Sequence, residues 1–509
     1  MIARHAEAAV RTLPEEPDGG EAAVIDIGSN SVRMVLYRLE GRAVWTVFNE
    51  KVLAGLGRGM ASTGRLSEKG VETALGALRR FRAVLDAVNP DSLVVVATAA
   101  VRLAADGEAF CRRVAEETGL QVRVLTGEEE ARYAALGVLA GAPDSEGVAA
   151  DLGGSSLELV RIGQGRTGDG VTLGLGPFAL ANGKPFDLAR VERVIAERLA
   201  PSAPAFQAAE LHAVGGGWRS LTLLHMQLSG YPLRIVHQYA MTAAEALDVA
   251  RLVARQSKGS IERMRGVSRK RGETLPYAAL VLEALIERCG FQTVHLSAWG
   301  LREGLLFEGL GPQVRSLDPL IAGCAALGAR QGVTPSLPAA LADWLGDLFE
   351  TLPPVFGPAR DRLLVAAACA LADVGARLHP DHRADLAFAQ VLRAPIPGQT
   401  HAERAFLACM INARYGGGAA TPEPGIVKRL LAEDGRRRAR ALGLAIRLAC
   451  DLSGRSPHLL ARAAISLEKN RLRLVASPDY ADLMLGEQTL RRAHALADAL
   501  DVELELKPA

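Results

Sequence analysis

VIDIGSNSVRMVL (Val24–Leu36) and VAADLGGSSLELV (Val148–Val160) are near copies of one another and decide the fold. Their aspartates, Asp26 and Asp151, stand 125 residues apart. Each copy is an apolar run that ends in an aspartate, turns on glycine and small polar residues, and resumes as a second apolar run. This pattern predicts a β-hairpin with a glycine-bearing turn. Two copies at domain-scale spacing predict a duplicated domain whose turns face each other across a cleft.

The two turns have the chemistry of a phosphate cradle. Glycine lets the backbone approach a ligand closely and adopt positive φ, so that consecutive N–H groups converge on an anion. The aspartate that ends each first strand can hold a metal directly or through water, and such a metal would neutralise phosphate charge. The residues predicted to surround a phosphate chain in the turns are Asp26, Gly28, Ser29, Asn30, Ser31, Gly153, Gly154, Ser155 and Ser156.

Length and composition exclude several classes of protein. A chain of 509 residues exceeds a single core, so we expect three or more domains. A net charge of +2 and 5% aromatic residues do not favour nucleic-acid binding. The six cysteines form no CxxC pair, which is typical of a reducing cytoplasm. No apolar run reaches the roughly 20 residues of a membrane span. Residues 1–20 have no signal-peptide pattern and are predicted to form a disordered leader.

Several further motifs accompany the repeat in a fixed order. They are ATAAVR (97–102), TGEEEAR (126–132), VGGGWRSL (214–221) and LREGLL (301–306). Together with the two turns, they resemble the exopolyphosphatase and guanosine pentaphosphate phosphohydrolase family over roughly residues 22–310. That family belongs to the actin, hexokinase and Hsp70 superfamily. The resemblance therefore implies an α/β fold of two ribonuclease-H-like lobes, related as in actin-like ATPases.

The resemblance also implies roles for three acidic residues. Glu130 lies in the first turn of a predicted helix, and its local sequence does not separate it from Glu128 and Glu129, which suit the helix N-terminus. The family pattern selects Glu130 as the catalytic base. Asp151 resembles the metal-associated aspartate of the family, and Glu158 is predicted to share in metal binding and catalysis. The implied cofactor is Mg²⁺ or another divalent cation.

Basic residues and a third glycine turn complete the predicted site. Arg33 stands at the position of the first repeat that Glu158 occupies in the second, and its guanidinium suits phosphate oxygens. Arg102 follows an apolar run and is predicted to contact phosphate, the alternative being a surface ion pair. Gly215, Gly216 and Gly217 lie between a predicted strand and a predicted helix, where their backbone amides can face phosphate.

The second half of the chain has a different composition and periodicity. Beyond about residue 312 the sequence is rich in alanine and leucine with helical periodicity, and residues 363–392 resemble the helical metal-phosphohydrolase domain named for its His-Asp pair. Ala372 replaces the histidine beside Asp373, so we expect a degenerate HD-type domain without a working metal site. We expect it to lengthen a substrate channel or to mediate formation of a homodimer. The last segment predicts a small α/β cap.

Two basic clusters allow two interpretations each, a solvated surface or a track for a long polyanion. One cluster lies around residue 267 and the other at 428–440. The predicted track comprises Arg263, Arg265, Arg269, Lys270 and Arg271.

The predicted organisation is a leader (1–20), lobe I (21–142), lobe II (143–311), the helical domain (312–455) and the α/β cap (456–509). The function expected from the resemblance is a cytoplasmic exopolyphosphatase that releases orthophosphate from inorganic polyphosphate. Removal of the 5′-terminal phosphate of pppGpp and a non-catalytic phosphate or nucleotide sensor are the alternatives. Neither nucleic acid nor a membrane is an expected partner.

Overall fold

The computed structural model describes residues 19–264, 271–332 and 335–508. Its described residues form two compact units. The first comprises 19–319 and 397–400, and the second comprises 320–396 and 401–508. The division lies near the predicted boundary between residues 311 and 312, and the finer domain boundaries stay predictions.

The first unit contains two sheets, and the first sheet holds the first repeat. Its strands are β1 (Gly19–Ile27), β2 (Val32–Glu40), β3 (Ala43–Val52), β4 (Ser92–Ala97) and β5 (Arg123–Val124), in the order β3-β2-β1-β4-β5. β1, β2 and β3 pair antiparallel, whereas β4 and β5 join them in parallel.

The second sheet holds the second repeat. Its strands are β6 (Gly147–Leu152), β7 (Leu157–Gly163), β8 (Arg166–Leu173), β9 (Glu210–Val214), β10 (Tyr239–Thr242) and β11 (Thr293–Leu296), in the order β10-β11-β9-β6-β7-β8. Without β10, which pairs antiparallel at the edge, the order and directions match those of the first sheet. The predicted duplication and the two-lobed α/β fold are confirmed.

The helices of the first unit pack on both sheets. They are α1 (Met60–Thr63), α2 (Glu68–Val88), α3 (Ala99–Leu103), α4 (Gly107–Thr118), α5 (Gly127–Gly141), α6 (Pro177–Ala181), α7 (Leu188–Leu199), α8 (Gly216–Leu228), α9 (Ala243–Ala254), α10 (Lys258–Arg263), α11 (Leu275–Cys289), α12 (Leu301–Gly309) and α13 (Pro312–Arg315). One core lies between the first sheet and α2 with α4, and a larger core lies between the second sheet and the α7–α11 helices. α5 and α12 fill the layer between the two sheets.

The second unit is helical with a small sheet. Its helices are α14 (Pro319–Ala329), α15 (Leu337–Glu350), α16 (Pro358–Ala370), α17 (Arg383–Arg393), α18 (His401–Arg414), α19 (Pro424–Leu430), α20 (Glu433–Ser453), α21 (Pro457–Leu460), α22 (Ala481–Met484) and α23 (Glu487–Leu500). Its strands β12 (Ala463–Glu468), β13 (Arg471–Ala476) and β14 (Glu503–Pro508) form one sheet, with β14 parallel to β13 after the crossover through α23. The predicted helical region and α/β end are confirmed.

The prediction of a leader needs one correction. β1 begins at Gly19, because Gly19 and Gly20 pair with Glu40 and Leu39 of β2. The last two residues of the predicted leader therefore belong to the sheet, and the rest of it lies outside the described residues. Among the helices that the structure describes, none is both long and apolar enough to span a bilayer.

The crossing of α5 and α12 depends on two glycines. A Cβ at Gly304 would stand 1.9 Å from the carbonyl oxygen of Tyr133, and one at Gly137 would stand 2.0 Å from that of Gly300. Because the opposing atoms belong to the backbone, neither can turn aside as a side chain could. The two helices are therefore in backbone contact, and this contact fixes the layer between the sheets.

Replacement of Gly304 by alanine is expected to destabilise the α5–α12 contact by about 3 kcal/mol, the upper range for overpacking a tight site. The measurement is hydrogen exchange of the α5 and α12 amides in the full chain, because a chain of two units need not unfold in one step. Gly76→Ala on the exposed face of α2 is the control, since its Cβ would meet only the end of Arg79 at 4.0 Å. It should stabilise α2 by about 0.5–1 kcal/mol. Wild-type exchange rates in Gly304→Ala would contradict this prediction.

Candidate active site

The two predicted turns adopt the same backbone structure. The Gly28 amide donates to the Ser31 carbonyl at 3.0 Å, and the Gly153 amide donates to the Ser156 carbonyl at 3.0 Å. Each turn joins the first two strands of its sheet and belongs to the lining of one cleft. The two copies in the sequence therefore form turns with the same backbone hydrogen bond.

The turns lie against each other across the cleft. A Cβ at Gly154 would stand 2.9 Å from Cβ of Ser29, so only glycine allows this approach. Gly57, in the loop after β3, is also close to both turns, since its Cβ would stand 3.0 Å from Oγ of Ser155 and 3.1 Å from Cβ of Ser29. Ser29 and Gly154 line a cavity of about 710 Å³.

The third glycine segment forms the predicted strand–glycine–helix turn. β9 ends at Val214, Gly215 has φ 118°, and α8 begins at Gly216 without a side-chain cap. A Cβ at Gly215 would stand 2.6 Å from the Leu152 carbonyl oxygen, so this turn is held against the second repeat. Gly215, Gly216 and Gly217 line the cleft. The uncapped amides at the start of α8 are suited to an anion.

The three predicted acids lie together in this cleft. Glu130, in the first turn of α5, is 8% exposed, and Glu158, which pairs with Asp151 across the β6–β7 hairpin, is 1% exposed. Burial, together with the charges of Glu130 and Asp26, raises the pKa of Asp151 to about 7. Burial and the charges of Glu130 and Asp151 raise the pKa of Glu158 well above its usual value. The carboxylates therefore repel one another in a desolvated place.

Glu130 differs from its two neighbours in burial and in its hydrogen-bond partner. Glu129 closes the capping box of α5 with Thr126, and Glu128 is exposed. Glu130 instead accepts a hydrogen bond of 2.9 Å from Nη1 of Arg102. Burial raises its pKa, and the Arg102 charge opposes this effect.

Arg102 lies just past the end of β4, as predicted, and its side chain is held by an acid of the cleft. Its Nη1 donates to Glu130 and to the Leu125 carbonyl, at 2.9 and 2.7 Å, and Arg102 is not among the described residues that line the cleft. The ion pair was the alternative in the sequence, although its partner is the buried Glu130 and not a surface group. Contact of Arg102 with phosphate stays a prediction.

A set of cations lines the same cleft as the acids. Arg33 donates through Nε to Asn49 at 2.8 Å, and Lys51 stands beside it on β3. Arg271 lies against Gly216, where a Cβ would be 2.1 Å from its Nη2. Burial and the charges of Arg271, Arg33 and Arg302 lower the pKa of Lys51 to about 8. This part of the cleft therefore carries uncompensated positive charge.

The sequence reading missed Lys51 and Arg302 as site residues. Arg302 is the second residue of α12 and donates to Asp26 at 2.9 Å. Its neighbour Glu303 accepts a 2.7 Å hydrogen bond from Tyr37. The sequence showed LREGLL as a motif, but nothing in it indicates that its arginine, Arg302, pairs with Asp26. Lys51 was detectable only through its register opposite Arg33.

Most of the predicted polyanion track lies in residues 265–270, which the structure does not describe. Arg265, Arg269 and Lys270 lie outside the described residues. Arg263 is exposed at the end of α10 and does not belong to the described cleft lining, whereas Arg271 does. In the second basic cluster, Arg437 pairs with Glu433 at 2.6 Å, and Arg436 and Arg438 donate to backbone carbonyls.

The acids fit a divalent cation without forming a complete cage. Oε1 of Glu158 and Oγ of Ser155 are buried without a hydrogen-bond partner among the described residues. In the same residues, no group of three or more His, Cys, Asp or Glu side chains converges closely enough to hold a metal alone. Mg²⁺ commonly takes one or two carboxylates and completes its shell with water and substrate phosphate. Asp151 and Glu158 match that requirement.

Comparison with known proteins agrees with this architecture. Residues 34–312 match the model of the Ppx/GppA phosphatase family, and residues 320–506 match the model described as exopolyphosphatase, C-terminal. The Aquifex aeolicus member of the Ppx/GppA family is 27% identical over 57% of this chain and 96% of its own, with a TM-score of 0.50. An exopolyphosphatase from Cytophaga hutchinsonii is 20% identical over 57% of this chain and 97% of its own, with a TM-score of 0.53, which shows the fold alone. The chain belongs to the Ppx/GppA phosphatase family.

Proposed function

We propose that this protein is an exopolyphosphatase, which hydrolyses the terminal phosphoanhydride bond of inorganic polyphosphate and releases orthophosphate. The observation that carries the proposal is the division of charge in one cleft. Carboxylates whose pKa is raised by burial and by neighbouring acids line the same cleft as Lys51, whose pKa is lowered to about 8 by burial and neighbouring arginines. A chain of phosphates with a bound divalent cation satisfies both kinds of group at once.

The two turns and the start of α8 would hold the terminal phosphates. Their backbone amides and the hydroxyls of Ser29, Ser31 and Ser156 are donors, and an anion at such turns is stabilised by converging N–H dipoles. Arg33, Lys51 and Arg271 would bind the phosphates that follow, because several cations in a low-dielectric cleft attract a polyanion strongly.

Glu130 would act as the base that orients and deprotonates the attacking water. Its raised pKa brings it nearer to neutral pH, where a general base is most effective. Arg102 is then a positioning residue, because it holds the Glu130 carboxylate and also limits the rise in its pKa. Negative charge on the phosphate oxygens hinders attack by water at phosphorus. The cations that neutralise this charge would therefore promote the reaction as well as substrate binding.

Mg²⁺ is the proposed cofactor, with Asp151 and Glu158 as the residues that would hold it. When bound, it would neutralise charge on the phosphate oxygens. Because the pKa of Asp151 is raised to about 7, a bound cation would favour the ionised form of this carboxylate at neutral pH.

The main alternative is hydrolysis of the 5′-terminal phosphate of pppGpp, which the same family would include. Next to Arg271, the cleft is lined by the neutral side chains of Ser220, Leu223 and Thr274, and a nucleoside could occupy this region. The crowding of Arg33, Lys51 and Arg271 favours a substrate that continues as phosphate.

A sensor without catalysis is the alternative of another class. Action within the cytoplasm and as a homodimer are further parts of the proposal.

The decisive experiment offers the purified protein long-chain polyphosphate, pppGpp and ATP separately, with Mg²⁺, and measures orthophosphate. We expect fastest release from polyphosphate. We expect Glu130→Gln to reduce the rate by about 10²–10⁴-fold, the usual contribution of a general base. Glu128→Gln removes a charge from the same helical turn at an exposed position and should retain wild-type activity.

The outcomes separate the proposals. Fastest release from pppGpp would support the nucleotide alternative, and binding without release from any substrate would support the sensor. Unchanged rates in Glu130→Gln would refute the assignment of the base and leave the enzyme proposal standing.

Mg²⁺ binding should depend on pH in the range of the Asp151 pKa. Because protons and Mg²⁺ compete for the same carboxylates, affinity should rise about tenfold for each pH unit over which one proton is displaced, between about pH 6 and 7, and level off as Asp151 becomes ionised. Calorimetric titration of the substrate-free protein with Mg²⁺ measures this. Asp151→Asn should bind Mg²⁺ more weakly and lose most of the pH dependence. An affinity that does not change with pH in the wild type would argue against Asp151 as a ligand.

A further inference from the structure

The second unit contains an arginine cluster that the proposed catalytic cleft does not use. We define it as Arg414, Arg447, Arg455 and Asp373; Arg414 and Arg455 pair with Asp373, and Arg447 lies near Arg414. Arg414 is the last residue of α18, Arg447 lies in α20, Arg455 follows the end of α20, and Asp373 follows α16. Three segments distant in sequence thus bring three guanidinium groups and one carboxylate to one place.

The cluster carries excess positive charge. Asp373 Oδ1 is 3.9 Å from Nη2 of Arg414 and 3.6 Å from Nε of Arg455, so it makes an ion pair with each without a close hydrogen bond. A neighbouring pair, Arg492 and Asp451 at 2.8 Å, is neutral in sum. One carboxylate therefore stands against three guanidinium groups.

Within the described residues, buried hydrogen-bond donors of the cluster have no acceptor. Arg414 is 5% exposed, and its Nε and Nη2 lack hydrogen-bond partners within the described part of the chain, as does Oδ1 of Asp373. Burying such donors without acceptors is costly, and the cost is largest for charged groups. A distance of 3.6–3.9 Å leaves each guanidinium able to turn toward another acceptor.

The surrounding chain holds the cluster in place. The Tyr415 hydroxyl donates to the Ala372 carbonyl at 3.0 Å and accepts from the Gly375 amide at 3.0 Å, which fixes the segment that carries Asp373. The Arg414 guanidinium lies 4.9 Å from the centre of the Tyr415 ring. Gly416 has φ +86°, and a Cβ there would stand 2.5 Å from Nη1 of Arg447. The glycine run after α18 therefore makes room for that guanidinium.

We propose that the arginine cluster is a binding site for a phosphate dianion, either orthophosphate or the phosphoryl group of a monoester. A dianion balances the two positive charges that Asp373 leaves over, and guanidinium groups bind phosphate oxygens through paired donors. The Arg455 side chain is 31% exposed, so the ligand reaches Arg414 past a solvent-accessible rim. Because the site lies in the second unit, it does not depend on the proposed function of the cleft.

The experiment measures peptide-level hydrogen exchange of the full chain during titration with orthophosphate, against chloride at equal ionic strength to separate binding from screening. We expect saturable protection of residues 412–418 and 447–455. Arg447→Gln and Arg455→Gln should each raise the orthophosphate concentration at half-maximal protection about tenfold, the usual effect of losing a hydrogen bond to a charged group. Arg437→Gln removes the same charge from the exposed side of α20 and should behave as wild type.

Three further readings complete the test. Unchanged exchange in β12–β14 shows that each variant is folded. Phenyl phosphate in place of orthophosphate distinguishes the two ligands, since protection by both shows a site for phosphoryl groups and protection by orthophosphate alone shows a site for the free ion. The absence of phosphate-dependent protection in the wild type, or an unchanged midpoint in the Arg447→Gln/Arg455→Gln double variant, would overturn the proposal.

Discussion

Desolvated carboxylates of like charge, held within one cleft, are the constraint on which the active region depends. Asp151 and Glu158 face each other across one hairpin, and Glu130 enters from α5. Glu130 raises the pKa of both Asp151 and Glu158, and Asp151 raises the pKa of Glu158, because burial removes the water that would screen these charges. A fold tolerates this only where a counter-charge is supplied or where ligand binding repays the repulsion. The rest of the first unit can be understood as what keeps these groups in place.

Helix α5 has the central part in that arrangement. Its first turn carries Glu130, its capping box fixes where the helix begins, and Gly137 sets its contact with α12. α12 in turn carries Arg302, which binds Asp26 in the other lobe's hairpin. Backbone contact between two helices therefore links Asp26 of the first repeat to Glu130, the proposed base beside the second. A shift of one helix along the other would move both ends of the site together.

The sequence predicted the elements that a local pattern encodes. The turns, the strand–glycine–helix segment and the order of helices and strands follow from glycine position and apolar periodicity, and the structure has them. Partners across long distances in sequence were not predictable. The pairing of Arg102 with Glu130 and of Arg302 with Asp26 joins residues whose separation is set by packing, which no local pattern reports. The assignment of Glu130 among three consecutive acids came from family resemblance, and the roles of all site residues stay predictions.

One substitution between the two repeats explains why their turns are unequal. Asp26 and Arg33 are register partners in the first hairpin, and Asp151 and Glu158 are partners in the second. In the first, the arginine and Arg302 bring positive charge to the aspartate. In the second, two acids occupy the same spacing, and the charge of Asp151 raises the pKa of Glu158. A duplicated backbone with one reversed charge thus gives a turn that suits an anion and a turn that suits a cation, which is the arrangement that the proposed metal-bound phosphate chain requires.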